Sequence, residues 1–409
     1  MSIAETQPYF VIPLSVLKEG DSYIVGNADI GDFYQFPWQG VKILDWLGSG
    51  DTAATIKSRL ALEDPEPVDV DDFLEQLTEI GFIHSASQRE VVQERLQVSA
   101  RGTRTTFSVN PKIAKAIFSP PVTVCYLAIV SYAFVAAIEN PDLRVNVDAL
   151  YVESNRLLLL AIVLALSLIH IVMHELGHML AAARHGVRSK YGIGNRLWDL
   201  VAESDLTGIL TLPKSQRYLP MLAGLLVDIL WVSGLTILLG TLLRHDAGRF
   251  AIQVVQVLVL ETLLGMAWQF NVFVKTDIYF VICNYFSYPD LDKDARIYLR
   301  NVVFRASLGR YGSEAPSRIF NHLTVLRIFS LIWLFGRILA LGILFGVFLP
   351  TMWQYIASAI ELLKGPPADV RSAVDTIVYV MICLTILGVG MYKWLKNRRS
   401  GKQHKREAP

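Results

Sequence analysis

Charge is scarce in this chain: Asp, Glu, Lys and Arg make up 18% of its 409 residues, against roughly a quarter in soluble domains, while 53% are hydrophobic. That shortage argues against a cytosolic enzyme. Cysteine is nearly missing too, with only Cys125, Cys283 and Cys383, far apart and without CxxC spacing. Neither a disulfide framework nor a sulfur-ligated metal site is expected, and the three read as small buried hydrophobes. Basic residues are rare at the front, where positions 1–87 hold 4 Lys/Arg against 15 Asp/Glu, a local balance of −11. With a net charge of +1 overall, the remainder carries about +12, so the chain is two-part. The opening MSIAETQPYF lacks the basic start and apolar run of a secretory signal, and the acidic segment is expected to stay in the cytoplasm.

What is abundant is long apolar sequence. Six stretches, near 120–138, 157–179, 219–243, 251–272, 328–349 and 376–394, reach the length of about 20 helical residues that crosses a bilayer core. Six such runs leave no polar face for water, so a mostly α, polytopic membrane bundle is expected over 120–394. Segments 88–119, 184–217, 286–327 and 393–409 hold 26 Lys/Arg in all, whereas the alternating loops 139–156, 244–250 and 350–375 hold 6. By the positive-inside rule both termini face the cytoplasm. Residues 88–119 read as a basic linker and 395–409 as a basic cytoplasmic tail that sets topology.

Positions 1–87 read as a small α/β domain. YFVIPLSVL and SYIVGN flank the polar turn KEGD, and QGVKILDWL, DTAATIKSRL and DVDDFLEQLTEIGFI have helical spacing, with Asp51 and Asp69 placed as N-caps. Strands followed by three short helices suggest a winged-helix-like arrangement. The usual use of that fold, DNA binding, is opposed by the −11 balance, because phosphate contacts need Lys and Arg. An acidic domain with an exposed sheet edge suits an extended basic peptide instead. The stretch ILDWLGSGDTAATIKSRL followed by VDVDDFLEQLTEIGFI resembles the PqqD-like domains that hold the leader of ribosomally made precursor peptides, over about residues 8–85.

The chemistry-bearing motif ends the second apolar run, HIVMHELGHML. On a helix His174 and His178 lie one turn apart on one face, so both imidazoles can bind a single zinc, while Glu175 sits beside the metal where it can take a proton from water. Ionisable groups at the end of a membrane helix cost roughly 2.5–3.5 kcal/mol each and tend to be kept for function. His170, another turn earlier, is expected to pack or to support a ligand, because three successive turns do not converge easily on one ion.

A catalytic zinc needs three protein ligands and one open position, so the third comes from elsewhere in the chain. Asp228, Glu261 and Asp277 are the candidates. Glu261 and Arg337 fall near the middles of their runs and are expected to neutralise each other as a structural pair. Asp228 lies about 14 Å into its run at 1.5 Å per residue, deeper than His174, whereas Asp277 follows the polar interruption QFNVFVKTD on the inner side. Depth slightly favours Asp277 and leaves Asp228 open.

HELGH in an apolar helix, then MLAGLLVDILW, then QFNVFVKTDIYFV, together resemble the site-2 protease family of intramembrane zinc peptidases, over about residues 156–300. The similarity is greatest to the branch with an N-terminal PqqD-like domain, often called peptide zinc metalloproteases. That resemblance implies Asp277 as the third ligand, in the family's Asn-Pro…Asp-Gly segment, and a substrate-contacting role for Asn271. Val272 stands where proline is common and Ile278 where glycine usually follows the Asp, which puts Asn271 in question more than Asp277.

The expected protein is therefore a membrane-embedded endopeptidase with one zinc per chain, in the cell (inner) membrane, with no nucleic-acid partner. It would hydrolyse a small precursor peptide or a membrane-tethered protein with metal-activated water. Segment 187–212 carries Gly-punctuated β-prone pieces that would either offer an edge strand to an unwound substrate or form a plain loop. The rival class is a non-catalytic peptide-binding adaptor, exporter component or immunity factor on the same scaffold.

Overall fold

The computed structural model describes residues 9–27, 32–63, 68–92, 105–107, 109–152, 155–196, 199–288, 291–307, 323–364 and 370–407. The fold is mostly helical, with a small strand region at its N-terminus. The chain divides into two compact units. One comprises Met1–Ala114, Met179–Gly192 and Ser204–Pro220, and the other Lys115–His178, Ile193–Glu203 and Met221–Pro409. The first unit holds positions 1–87 together with later segments of the chain.

In the first unit β1 (Tyr9–Val11) is followed by the antiparallel meander β2 (Ser15–Glu19), β3 (Ser22–Asn27) and β4 (Asp32–Phe36). The KEGD turn forms as read: Glu19 pairs with Ser22, and Gly20 takes the left-handed φ of +64° that a two-residue hairpin loop demands. Helices α1 (Trp38–Gly48), α2 (Ala53–Glu63) and α3 (Val70–Glu79) follow, and β5 (Ile83–Ser85) returns to pair with β1. Their apolar faces bury Val25, Ile43, Leu47, Ile56, Leu77 and Phe82 in one core. Asp69 caps α3 by accepting from the N–H groups of Asp71 and Asp72, both at 3.1 Å. Asp51 does not cap α2. Thr52 takes that place, its Oγ1 accepting from Thr55 N, and Asp51 instead binds Arg59 at 2.6 Å.

Part of the expected linker is ordered, as β6 (Thr105–Phe107) and α4 (Pro111–Ile117), while positions 93–104 and 108 lie outside the described residues. Strands β7 (Ser189–Arg196) and β8 (Asp199–Asp205) arise within the β-prone segment 187–212, positions 197 and 198 lying outside the described residues. β6 pairs with β7 from Thr105↔Tyr191 to Phe107↔Ser189. The 3₁₀ turn Thr207–Thr211 packs on β2 and β3, and the buried Arg217 donates to Leu212 O at 2.8 Å and pairs with Glu19 at 2.9 Å.

The second unit is built from long apolar helices. In chain order they are α5 (Pro120–Glu139), α6 (Arg156–Ala183), α7 (Lys214–Arg244) and α8 (Arg249–Trp268), the shorter α9 (Asp277–Phe286) and α10 (Leu291–Ala306), then α11 (Leu323–Ile343), α12 (Leu349–Lys364) and α13 (Val370–Glu407). Among the described residues six stretches are long and apolar enough to cross a membrane: α5, α6, α7, α8, the combined Leu323–Glu361 and Ala373–Tyr392. They fall within a few residues of the six apolar runs, except that the fifth extends to Glu361. It does so through a π-helical turn, Leu344–Phe348, just ahead of Pro350, whose ring and missing N–H are incompatible with a regular turn. The helix of the expected tail continues from α13 to Glu407. Large apolar side chains such as Leu127, Phe134, Leu331, Phe335 and Met381 are exposed along these helices, a surface that suits lipid rather than water.

Asp375 of α13 caps the start of α6, accepting from Arg156 N at 2.7 Å and Leu157 N at 3.1 Å. Leu239, Leu258, Val257 and Val152 form one apolar cluster in this unit, and Val272, Tyr279, Leu291, Leu326 and Phe329 another. The second cluster fixes the segment that carries Asp277.

Candidate metal centre

The helical spacing of α6 sets His170, His174 and His178 one turn apart, and α7 packs against them. Glycine makes that approach possible. At Gly177 a Cβ would lie 2.7 Å from Val227 Cγ2 and 3.0 Å from Ala223 O, so the two helices meet backbone to backbone there. At Gly224 an added Cβ would overlap Nε2 of both His174 and His178, which places this glycine directly against the paired imidazoles.

Asp277 reaches the same point by a chain reversal. After α8 ends at Trp268, the interruption QFNVFVKTD forms a 3₁₀ turn, Val272–Val274, and Lys275 adopts a left-handed φ of +57° before α9 opens at Asp277. Gln269 holds the carboxylate in place: its Oε1 accepts from Asp277 N at 3.2 Å and its Nε2 donates to Asp277 Oδ2 at 3.3 Å. Thr276 Oγ1 donates to Gln269 O at 2.6 Å, closing the loop.

The three side chains converge. His174 Nε2 and His178 Nε2 are 3.2 Å apart, and each is 3.3 Å from Asp277 Oδ2. They form a group of donors that could hold a metal ion. Burial alone would raise the Asp277 carboxyl, but its contacts with the imidazoles of His174 and His178 hold it well below the usual carboxylate range. Glu175 is half-buried on the same turn of α6.

Asp228 does not join this triangle. Its Oδ1 contacts His174 at Nδ1, on the opposite side of the ring from Nε2, at 2.8 Å, and His170 Nε2 at 2.9 Å. His170 also stacks on Trp231, with ring centroids 5.2 Å apart and planes 15° from parallel. Glu261 and Arg337 are not brought together as a pair. Glu261 accepts from Ser167 Oγ at 2.6 Å on the α6 side, whereas Arg337 lies over the rings of Phe273 and Trp333, at 3.6 and 4.7 Å. The aromatic residues flanking Arg337 offer it a cation–π seat that needs no carboxylate.

Asn271 is 1% exposed, and neither atom of its amide has a hydrogen-bond partner among the described residues. Val272 and Ile278 both lie in the apolar cluster around Tyr279 and Phe329. Sequence reasoning missed Gly224 and Gln269. The signal for Gly224 was the small pair Ala223-Gly224 in a run of large residues, and for Gln269 a polar side chain where an apolar run stops. No family model, curated protein or solved structure matches this chain significantly.

Proposed function

We propose that the protein is a membrane-embedded zinc endopeptidase resembling the site-2 protease family, with an acidic PqqD-like domain that receives peptide. The observation that carries this reading is the donor triangle of His174, His178 and Asp277, with sides of 3.2, 3.3 and 3.3 Å. Ligands of a tetrahedral zinc with bonds of about 2.0–2.1 Å are about 3.3–3.4 Å apart, so the spacing of the three donors fits that ion. The donor set, two imidazoles and one carboxylate, is a catalytic zinc set.

His174, His178 and Asp277 would hold the ion, whose Lewis acidity lowers the pKa of a water toward ~7 when bound. Glu175, next to His174 on α6, accepts the water's proton and returns it to the departing amine nitrogen as the peptide C–N bond breaks. Asn271, whose amide oxygen and nitrogen meet no partner among the described residues, suits a peptide N–H and C=O. Six helices of membrane length and the excess of Lys/Arg in alternate loops support a cell-membrane protein with both termini in the cytoplasm. The −11 balance of positions 1–87 favours a basic precursor peptide, or the basic flank of a membrane-tethered protein, as substrate.

The test compares purified wild type with Glu175→Gln on a quenched fluorescent peptide library in lipid nanodiscs, with products identified by mass spectrometry and zinc by elemental analysis. About one zinc per chain in both, with cleavage reduced at least ~100-fold in the variant, is expected. Equal turnover in the two proteins refutes the role of Glu175. Substoichiometric zinc that does not respond to His174→Ala favours a peptide-binding adaptor.

A further inference from the structure

Asp228 is 5% exposed between two imidazoles of α6, and a buried carboxylate is tolerated only where donors meet it. Both meet it at the same oxygen, Oδ1: His174 Nδ1 at 2.8 Å and His170 Nε2 at 2.9 Å. An ionised carboxylate has no proton to offer, so with Asp228 ionised both facing ring nitrogens act as donors. The consequence falls on His174. With the proton on Nδ1, the neutral ring has its lone pair on Nε2, the nitrogen that faces His178 and Asp277. His170 in turn is held by its stack on Trp231, so the carboxylate has a rigid second anchor. Asp228 and Gly224 are one turn apart on α7: the glycine admits the two Nε2 atoms, and the aspartate grips the far side of one ring.

We propose that Asp228 is a positioning residue that sets the tautomer and ring orientation of His174 for metal binding, with His170 as the anchor that keeps Asp228 in register. Asp228 acts through His174 and His170 through Asp228, and neither belongs to the donor triangle. The inference rests on the metal reading above and extends it to two residues outside the donor triangle.

The experiment uses the full-length protein in detergent and measures the dissociation constant for Co²⁺ by competition with a chelating dye, together with the cobalt absorption bands, which report ligand geometry. Asp228→Leu is expected to weaken binding by about 10- to 100-fold and to change the bands. Asp228→Asn keeps an acceptor oxygen but loses the charge, and a loss of about three- to tenfold is expected. His170→Leu shifts affinity in the same direction, and His170→Gln, which restores a donor toward Asp228, recovers most of it. Thermal unfolding of each variant shows which are folded. Wild-type affinity and bands in Asp228→Asn, or in a folded Asp228→Leu, overturn the proposal. His178→Ala separates the two levels. If it abolishes binding while the Asp228 variants bind like wild type, this inference alone falls, and if wild type itself binds no cobalt, the metal reading falls and takes this inference with it.

Discussion

Gly224→Ala is the smallest perturbation that reaches the centre. The added methyl group would enter well inside the 3.0 Å that real Cβ atoms essentially never breach, against Nε2 of both His174 and His178. Those nitrogens are 3.2 Å apart and already at ligand spacing, so neither can retreat while both serve one ion. Without metal the rings can give way, His174 at the expense of its contact with Asp228, whereas two rings held to one ion cannot, so most of the strain opposes binding. Overpacking by one methyl costs about 1–3 kcal/mol, which at about 1.4 kcal/mol per tenfold predicts a loss of metal affinity of about 5- to 150-fold. Gly234→Ala, on the same helix, is the control, since nothing lies within 4 Å of a Cβ added there. The assay is a zinc titration against a chelating indicator in detergent, with thermal unfolding of the metal-free proteins alongside. Equal affinity in the Gly224 and Gly234 variants would refute the claim that α7 is shaped around the paired imidazoles.

Two further outcomes are expected. Gln269→Leu removes both hydrogen bonds that orient Asp277, and metal affinity should fall about tenfold in the same titration while the unfolding temperature hardly moves; an unchanged affinity would show that the loop backbone places Asp277 by itself. Asp69→Ala removes the N-cap of α3 and costs about 1 kcal/mol, so amides of that helix should exchange with deuterium about fivefold faster in the intact chain, and equal exchange rates contradict the capping role.

The six long helices were legible because run length and apolarity are local properties: a span is written in about 20 consecutive residues. The pairing of His174 with His178 was legible for the same reason, one helical turn being a fixed offset. The third donor was not. Asp277 is separated from His178 by α7, α8 and a reversal that passes through a left-handed non-glycine residue, Lys275, and no spacing rule encodes that path. Depth counting left Asp228 and Asp277 as alternatives because it measures position along a helix and not rotation about it. Rotation is what sets Asp228 against Nδ1 of His174 and Asp277 against Nε2. The same blindness produced the expected Glu261–Arg337 pair, whose members face Ser167 and two aromatic rings respectively. At the start of α2, Asp51 and Thr52 are both good caps by composition; the helix begins at Ala53, so Thr52 holds the cap position and Asp51, one residue outside it, meets Arg59.

The pairing of Glu19 with the buried Arg217 bears on how this protein can be dissected. An excised fragment of positions 1–90 would lose the guanidinium that Glu19 meets and the Thr207–Thr211 turn that packs on β2 and β3. The complementary truncation would wet Arg217 at the foot of α7 and delete its carboxylate. Loss of activity in either half-molecule would therefore report damaged packing as readily as lost recognition, and point substitutions on the intact polypeptide are the sounder instrument.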